Sequence, residues 1–149
     1  MNPNTATEET TIELTRVYRA PRARVWAAFT EPEQLKRWYA PVAGWTIPVC
    51  EVDLRVGGTY EIHLQPPGRD AYVERGTYVE IVPEQRLVVD LGIAGEQTTL
   101  TVELLDAEEG TEVRVTETGY SSREIRDRHL GGWTTMLSQL EQQLEQQLA

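Results

Sequence analysis

The sequence is poor in several residue types, and each scarcity excludes a class of protein. It has one cysteine, one phenylalanine, two histidines and a single lysine, Lys36. One cysteine cannot form a disulfide within the chain, and two histidines far from that cysteine do not match the local ligand spacing of a zinc site. No apolar run approaches the roughly 20 residues that span a bilayer. We therefore expect no disulfide framework, no metal or other cofactor, and no membrane partner.

Positive charge is in the minority as well. The chain has 14 lysines and arginines against 24 aspartates and glutamates, which gives a formal net charge of −10 at pH 7. A phosphate backbone is repelled by such an excess of carboxylates, so we do not expect nucleic-acid binding. The first residues, "MNPNTATEETT", lack the basic start and apolar stretch of a secretory signal, which predicts a cytoplasmic protein. Cys50 lies among apolar residues in "IPVCEV", the pattern of a buried, reduced thiol.

The N-terminal part predicts one strand and two short helices. "TIELTRVYR" has the alternation of a half-buried strand. Pro21 suits the first turn of a helix, and "PRARVWAAF" continues with apolar residues three and four apart. "TEPEQLKRW" predicts the second helix, with Thr30 and Glu33 at the spacing of a capping box. We expect residues 1–10 to form a flexible tail ahead of a single domain, residues 11–149.

The central part predicts an antiparallel sheet. Glycine- and proline-containing turns, among them Gly57–Gly58 and Pro83, divide six segments whose polarity mostly alternates. The segments are "IPVCEVDL", "TYEIHL", "YVERGTYVEIV", "RLVVDL", "TTLTVELL" and "TEVRVTETG". The short connections between them favour a meander with one wet face and one buried face.

The C-terminal part predicts a long amphipathic helix. Ser121 and Glu124 form a capping signature, and helical spacing continues from about Ser122 to Leu148. Its apolar stripe consists of Leu130, Trp133, Leu137, Leu140, Leu144 and Leu148. That stripe must be buried against the inner face of the sheet. Gly131 and Gly132 lie in the interior of this helix, where each glycine costs roughly 1 kcal/mol of stability relative to alanine. We therefore expect that they are needed either for packing or for a ligand.

No constellation of nucleophile, base or metal ligands is visible, and we name no catalytic residue. Glu117 is the acidic residue of most interest, because strand alternation places it on the same face as Val113 and Val115. A carboxylate there borders a polar cavity, pairs with an arginine, or lies past the buried part of the strand. His129, one turn before Trp133, either reaches a cavity mouth or is a partly exposed helix residue. His63 is expected on the wet face beside Glu61.

Several motifs in order carry a resemblance to a known family. They are "RAPRARVWAAFTEPEQLKRW", "DLRVGGTYEI", "RGTYVEIVPEQRLV", "TTLTVEL", "GTEVRVTETGY" and "HLGGWTTMLSQL". Over about residues 11 to 145 the chain resembles the activator of Hsp90 ATPase homologue 1-like family of the START/Bet v 1-like (SRPBCC) superfamily. The resemblance implies an α+β helix-grip fold: a curved antiparallel sheet wrapped around a long C-terminal helix, with two short helices after the first strand. A cavity is expected between sheet and helix.

The resemblance also implies a function. The leading hypothesis is the binding of a small hydrophobic or amphipathic molecule in that cavity. The residues predicted to contact it are Trp38, Tyr60, Ile62, Tyr78, Glu117, His129, Trp133, Met136 and Leu137. Two alternatives remain open: a polyketide cyclase/aromatase-like enzyme, and a chaperone-interacting module. The sequence does not separate a monomer from a homodimer that uses the terminal leucines.

Overall fold

The structure, a computed structural model, describes residues 9–148. Residues 1–8, most of the predicted tail, lie outside the described residues. The strands are β1 (Thr11–Tyr18), β2 (Cys50–Val52), β3 (Thr59–Leu64), β4 (Tyr72–Val82), β5 (Arg86–Ile93), β6 (Glu96–Ala107) and β7 (Gly110–Thr118). The helices are α1 (Arg22–Thr30), α2 (Pro32–Trp38) and α3 (Arg123–Leu148). None of these helices is long and apolar enough to cross a bilayer.

All seven strands form one antiparallel sheet in the order β1-β7-β6-β5-β4-β3-β2. Strands β2 to β7 pair with their sequence neighbours, as a meander requires, and β1 adds to the far edge beside β7. Burial alternates along β7, where Val113, Val115 and Glu117 are buried and Arg114 is exposed. The alternation therefore gives the sheet one inner and one outer face.

The long helix α3 packs across the inner face. Trp133, Leu137, Leu140 and Leu144, spaced four, three and four residues apart, are all buried. The Tyr18 hydroxyl of β1 donates to the Leu137 carbonyl oxygen at 2.9 Å, tying the helix to the sheet edge. This arrangement is the helix-grip fold that the family resemblance implies.

The two short helices close one end of the sheet and contact α3. Gln139 of α3 donates through Nε2 to the carbonyl oxygens of Trp38 and Ala40, both at 2.9 Å. Gln143 donates to Oε1 of Gln34 at 2.7 Å. These bonds hold the end of α2 and the residues after it against the long helix.

Both capping predictions are wrong in detail. Thr30 ends α1 and donates its hydroxyl to the Trp26 carbonyl oxygen at 2.8 Å, so it does not cap α2. At α3, the Oγ of Ser122 accepts a bond from the Ile125 N–H at 3.2 Å. Ser121 instead donates to Glu96 through its N–H and hydroxyl. The cap of α3 is therefore one residue later than predicted, and α2 has no side-chain cap.

Candidate functional site

A cavity of about 580 Å³ lies between the inner face of the sheet, α3 and the segment that follows α2. Its lining is mostly apolar, with Leu64 and Leu91 from the sheet and Met136 from the helix. Its volume falls within the 300–1,000 Å³ typical of small-molecule sites. Two carboxylates, Glu74 and Glu117, also line it. An apolar cavity that contains acidic groups is the arrangement expected of a site for an amphipathic ligand.

Aromatic rings form the walls at two places. Trp45 and Tyr72 stack with their ring centroids 5.7 Å apart and their planes 5° from parallel. Tyr39 meets Trp133 edge to face, with centroids 6.0 Å apart. Tyr72 is 43% exposed whereas Trp133 is 5% exposed, so the first pair lies nearer the solvent and the second lies deeper.

Glu117 is held on the inner face of β7 by three hydrogen bonds. Its Oε1 accepts bonds from the Tyr120 hydroxyl at 2.6 Å and from Trp133 Nε1 at 2.8 Å. Its Oε2 accepts a bond from the Thr98 hydroxyl at 2.6 Å. The side chain is 4% exposed and the partners are neutral, so the arginine pairing considered from the sequence does not occur. Glu117 is buried and its two oxygens are both bonded.

Glu74, on the inner face of β4, is bonded on one oxygen only. The hydroxyls of Tyr39 and Tyr60 donate to its Oε2 at 3.0 and 2.6 Å. Its Oε1 accepts no hydrogen bond from residues 9–148. Burial raises the pKa of Glu74 from 4.5 to about 7, the hydrogen bond from Tyr60 opposes this rise, and the charge of Glu117 adds to it. Near neutral pH this carboxyl is therefore divided between its protonated and ionised forms.

A glycine in β4 makes room for the tyrosine that holds Glu74. Tyr60 and Gly76 are paired across β3 and β4. A Cβ on residue 76 would lie 2.1 Å from Cε2 of the Tyr60 ring, which no side chain tolerates. Only glycine lets the ring lie over β4 and bring its hydroxyl to Glu74.

Two further side chains of α3, Arg128 and His129, also line the cavity. The Arg128 side chain is 72% exposed and lies 3.9 Å from Glu124. The His129 ring packs on Tyr120 with centroids 5.0 Å apart and is half-buried. His129 therefore combines both sequence alternatives, since it lines the cavity and is also partly exposed.

Four of the nine predicted contact residues line this cavity: Glu117, His129, Trp133 and Met136. The other five, Trp38, Tyr60, Ile62, Tyr78 and Leu137, are buried in the surrounding core and do not line it.

Packing with specific neighbours explains why these residues are not cavity walls. Trp38 is fully buried, contacts Phe29 edge to face and donates Nε1 to the Ala28 carbonyl oxygen. Tyr60 contributes to the site only through its hydroxyl, which donates a hydrogen bond to Glu74. A ring on the inner face thus fills space among neighbouring rings unless the local backbone leaves a gap beside it.

Sequence reasoning missed Glu74 and Tyr39, although a signal for Glu74 was present. In "YVERGTY" Glu74 alternates with Tyr72, Gly76 and Tyr78, which is the argument that identified Glu117. Tyr39 follows the end of α2 outside any periodic element. Its position depends on how α2 packs on the sheet, and no local pattern encodes that.

The remaining sequence expectations concern groups away from the cavity. Nε2 of His63 lies 2.7 Å from a Glu61 oxygen, and Arg75 bonds the other oxygen at 2.9 Å, which confirms the polar outer face. Both side chains are accessible there, Glu61 to 34% and His63 to 26%. In the described residues 9–148, no three potential metal ligands cluster.

Cys50 is buried as predicted, and burial raises its pKa to about 11. Its thiol is therefore protonated and unreactive at neutral pH.

The two helix glycines have different surroundings. Gly131 lines the cavity, and a Cβ there would meet no atom within 4 Å. Gly132 faces the segment after α2, where a Cβ would lie 3.0 Å from Cβ of Pro41. Gly132 therefore has a packing reason, whereas Gly131 keeps space open beside the cavity.

We expect Gly131→Ala to raise the free energy of unfolding by about 0.5–1 kcal/mol, since alanine is the better helix former and nothing obstructs its methyl group. Gly132→Ala should lose this gain, because the methyl group presses on Pro41. Urea unfolding of both variants measures the difference. Equal stabilisation by both substitutions would show that Gly132 has no packing role.

Comparison with known proteins agrees with this architecture. A family model described as "Activator of Hsp90 ATPase homolog 1-like protein" matches residues 19–145. The comparison with curated proteins gave no match.

Solved structures give the same result. A crystal structure of a Nitrosomonas europaea protein is 31% identical and superposes with a TM-score of 0.80, covering 93% of this chain and 96% of that one. A Chromobacterium violaceum protein is 28% identical with a TM-score of 0.82, covering 91% and 98%. DynU16, from the dynemicin biosynthetic locus, is 17% identical with a TM-score of 0.74 over 91% of this chain and 47% of its own, a likeness of fold alone. The chain therefore belongs to the Activator of Hsp90 ATPase homolog 1-like family, as its sequence motifs predicted.

Proposed function

We propose that the protein binds a small amphipathic molecule in the cavity between the sheet and α3. The observation that carries this proposal is an open apolar cavity of about 580 Å³ that contains the unbonded Oε1 of Glu74. Protein interiors are otherwise close-packed, so an open apolar cavity beside an acceptor that residues 9–148 leave available is suited to a ligand. A ligand with an apolar body and one polar group fills this space and supplies a hydrogen-bond donor for Oε1 of Glu74.

The walls suit such a ligand. The Trp45–Tyr72 stack offers flat apolar contacts nearer the solvent, and the buried Met136 offers an adaptable apolar contact deeper in the cavity. The carboxylates lie deeper, each buried to more than nine-tenths. The ligand therefore enters with its polar group first and leaves its apolar part towards the exposed end.

The other sequence hypotheses stay predictions. A polyketide cyclase-like reaction requires a substrate in this same cavity, so binding is the simpler proposal. A chaperone partner, a homodimer and a cytoplasmic location also stay predictions, and the cavity supports none of them in particular.

Native mass spectrometry and a neutral naphthalene dye, prodan, test the proposal. We expect the purified protein to carry a non-covalent adduct that disappears on denaturation, and the ligand-free protein to shift prodan emission to the blue. Gly131→Leu should weaken prodan binding about tenfold or more, because the larger side chain occupies open space at the cavity.

Gln142→Leu serves as the matched control, since it adds the same side chain at an exposed position of α3 away from the cavity. It should bind prodan like the wild type. Absence of prodan binding by the wild type, or equal binding by Gly131→Leu, would overturn the proposal.

A further inference from the structure

The two carboxylates of the cavity differ in how many of their oxygens accept a hydrogen bond. Glu117 accepts three hydrogen bonds distributed over both oxygens. Glu74 accepts two bonds, and both go to Oε2. Its Oε1 is therefore the acceptor that the described residues leave available.

The side chains that hold the pair have no further hydrogen to offer. A tyrosine hydroxyl carries one hydrogen and an indole N–H carries one. Tyr39 and Tyr60 donate theirs to Glu74, while Tyr120 and Trp133 donate theirs to Glu117. The donor for Oε1 must therefore come from whatever enters the cavity.

The electrostatics favour a positively charged donor. Two acidic groups line one cavity, and in residues 9–148 neither forms an ion pair. Arg128, the arginine among the described lining residues, has a side chain that is 72% exposed. A cation that reaches the interior would gain a charge-assisted hydrogen bond where little water competes.

The aromatic lining adds to this preference. The faces and edges of Tyr39 and Trp133 border the deep part of the cavity beside the carboxylates. Aromatic rings attract ammonium groups through their quadrupoles, most strongly where the cation is desolvated. The same rings offer nothing comparable to an anion.

Resting on the proposed function, we propose that the ligand is an amphipathic amine whose ammonium group donates to Oε1 of Glu74. Its apolar body lies along Met136 and the Trp45–Tyr72 stack, towards the exposed end of the cavity.

Binding of this ligand is linked to a proton. Without a bound ligand, burial raises the pKa of Glu74 to about 7, so much of the population carries a proton below that pH. When the ammonium binds, the carboxyl releases this proton to solvent and the carboxylate accepts the N–H bond. The affinity of an amine that stays protonated therefore rises with pH and levels off above about pH 8. The titratable groups that interact with this carboxyl from the surrounding elements are Tyr39, Cys50, Tyr60, Tyr78, Glu117 and Tyr120, and Arg128 and His129 line the same cavity.

Isothermal titration with three probes of one size tests the inference: naphthylethylamine, naphthylethanol and ethylnaphthalene. At about pH 8 the amine should bind about tenfold or more tightly than the alcohol, as expected for a hydrogen bond between charged groups. At about pH 6 the advantage should shrink, and titrations in buffers of different ionisation enthalpy should reveal proton release.

Glu74→Gln should abolish the preference for the amine. The amide oxygen can still accept the bonds from Tyr39 and Tyr60, which leaves an NH₂ donor facing the cavity where Oε1 was. Glu61→Gln makes the same charge change on the outer face and should retain the preference.

The outcomes separate the two proposals. If the three probes bind equally to the wild type and to Glu74→Gln, the amine inference is overturned and the binding function stands. If none of the three binds to the wild type, the cavity does not accept an apolar body and both proposals are overturned. Tighter binding of the alcohol at every pH also overturns the amine inference.

Discussion

Replacing Trp133 with alanine is expected to lower the free energy of unfolding by about 3–5 kcal/mol, the range for removing a large buried aromatic side chain. Trp133 is 5% exposed, borders the cavity and packs edge to face on Tyr39. Its Nε1 also holds Glu117, so the substitution removes one of three donors from a buried carboxylate. Urea unfolding followed by circular dichroism measures the loss.

Two further variants separate the contributions of Trp133. Trp133→Phe keeps most of the ring and loses the Nε1 bond to Glu117, so it should cost about 1–3 kcal/mol. Trp26→Ala removes the same side chain from a half-buried position on α1 and should cost less than Trp133→Ala. An unfolding midpoint of Trp133→Ala equal to that of the wild type would contradict the central packing of α3.

Replacing Glu74 with glutamine is expected to stabilise the ligand-free protein at neutral and alkaline pH. The folded-state pKa of Glu74 is about 7, above its ordinary value of 4.5. Between these values the folded state holds a proton that the unfolded state has lost, so stability falls as pH rises. The contribution is fully present below about pH 4.5 and is lost through about pH 7, a total of about 3 kcal/mol at roughly 1.4 kcal/mol per pH unit.

The pH dependence is measured by urea unfolding at intervals between about pH 4.5 and pH 8. The wild type should lose stability relative to Glu74→Gln across this window, while the two agree at its acidic end. Glu61→Gln is the control with the opposite sign, because bonds from His63 and Arg75 lower the pKa of Glu61. A constant difference between wild type and Glu74→Gln at every pH would show that Glu74 does not titrate in this range.

Local patterns predicted the elements of the fold well where burial alternates. The segments "TYEIHL" and "YVERGTYVEIV" coincide with β3 and β4, because one face of each strand is buried and the other is accessible. The same alternation placed Glu117 on the inner face, where the structure has it. Helix ends were predicted less well, since Ser121 bonds to Glu96 from β6 and leaves the cap to Ser122.

Contacts between distant segments decided which inner-face residues form the site. Trp38 and Trp133 are similar in sequence terms, since each is a tryptophan on an apolar helix face. Trp38 is enclosed by α1, whereas Trp133 lies where Gly131 and the segment after α2 leave space. No pattern within α2 or α3 distinguishes these two environments.

By itself the sequence determined the family, the order of the strands and helices, and the acidic residue Glu117, because each of these is encoded by local periodicity or by motifs. Only the tertiary structure decided that Glu74 joins it, that Tyr39 and Tyr60 both bond the same oxygen of Glu74, and that the other oxygen accepts no hydrogen bond from residues 9–148. The physical reason is that hydrogen-bond saturation and desolvation depend on groups brought together from α2, β3, β4 and β7, and the spacing within any one of these segments does not specify them.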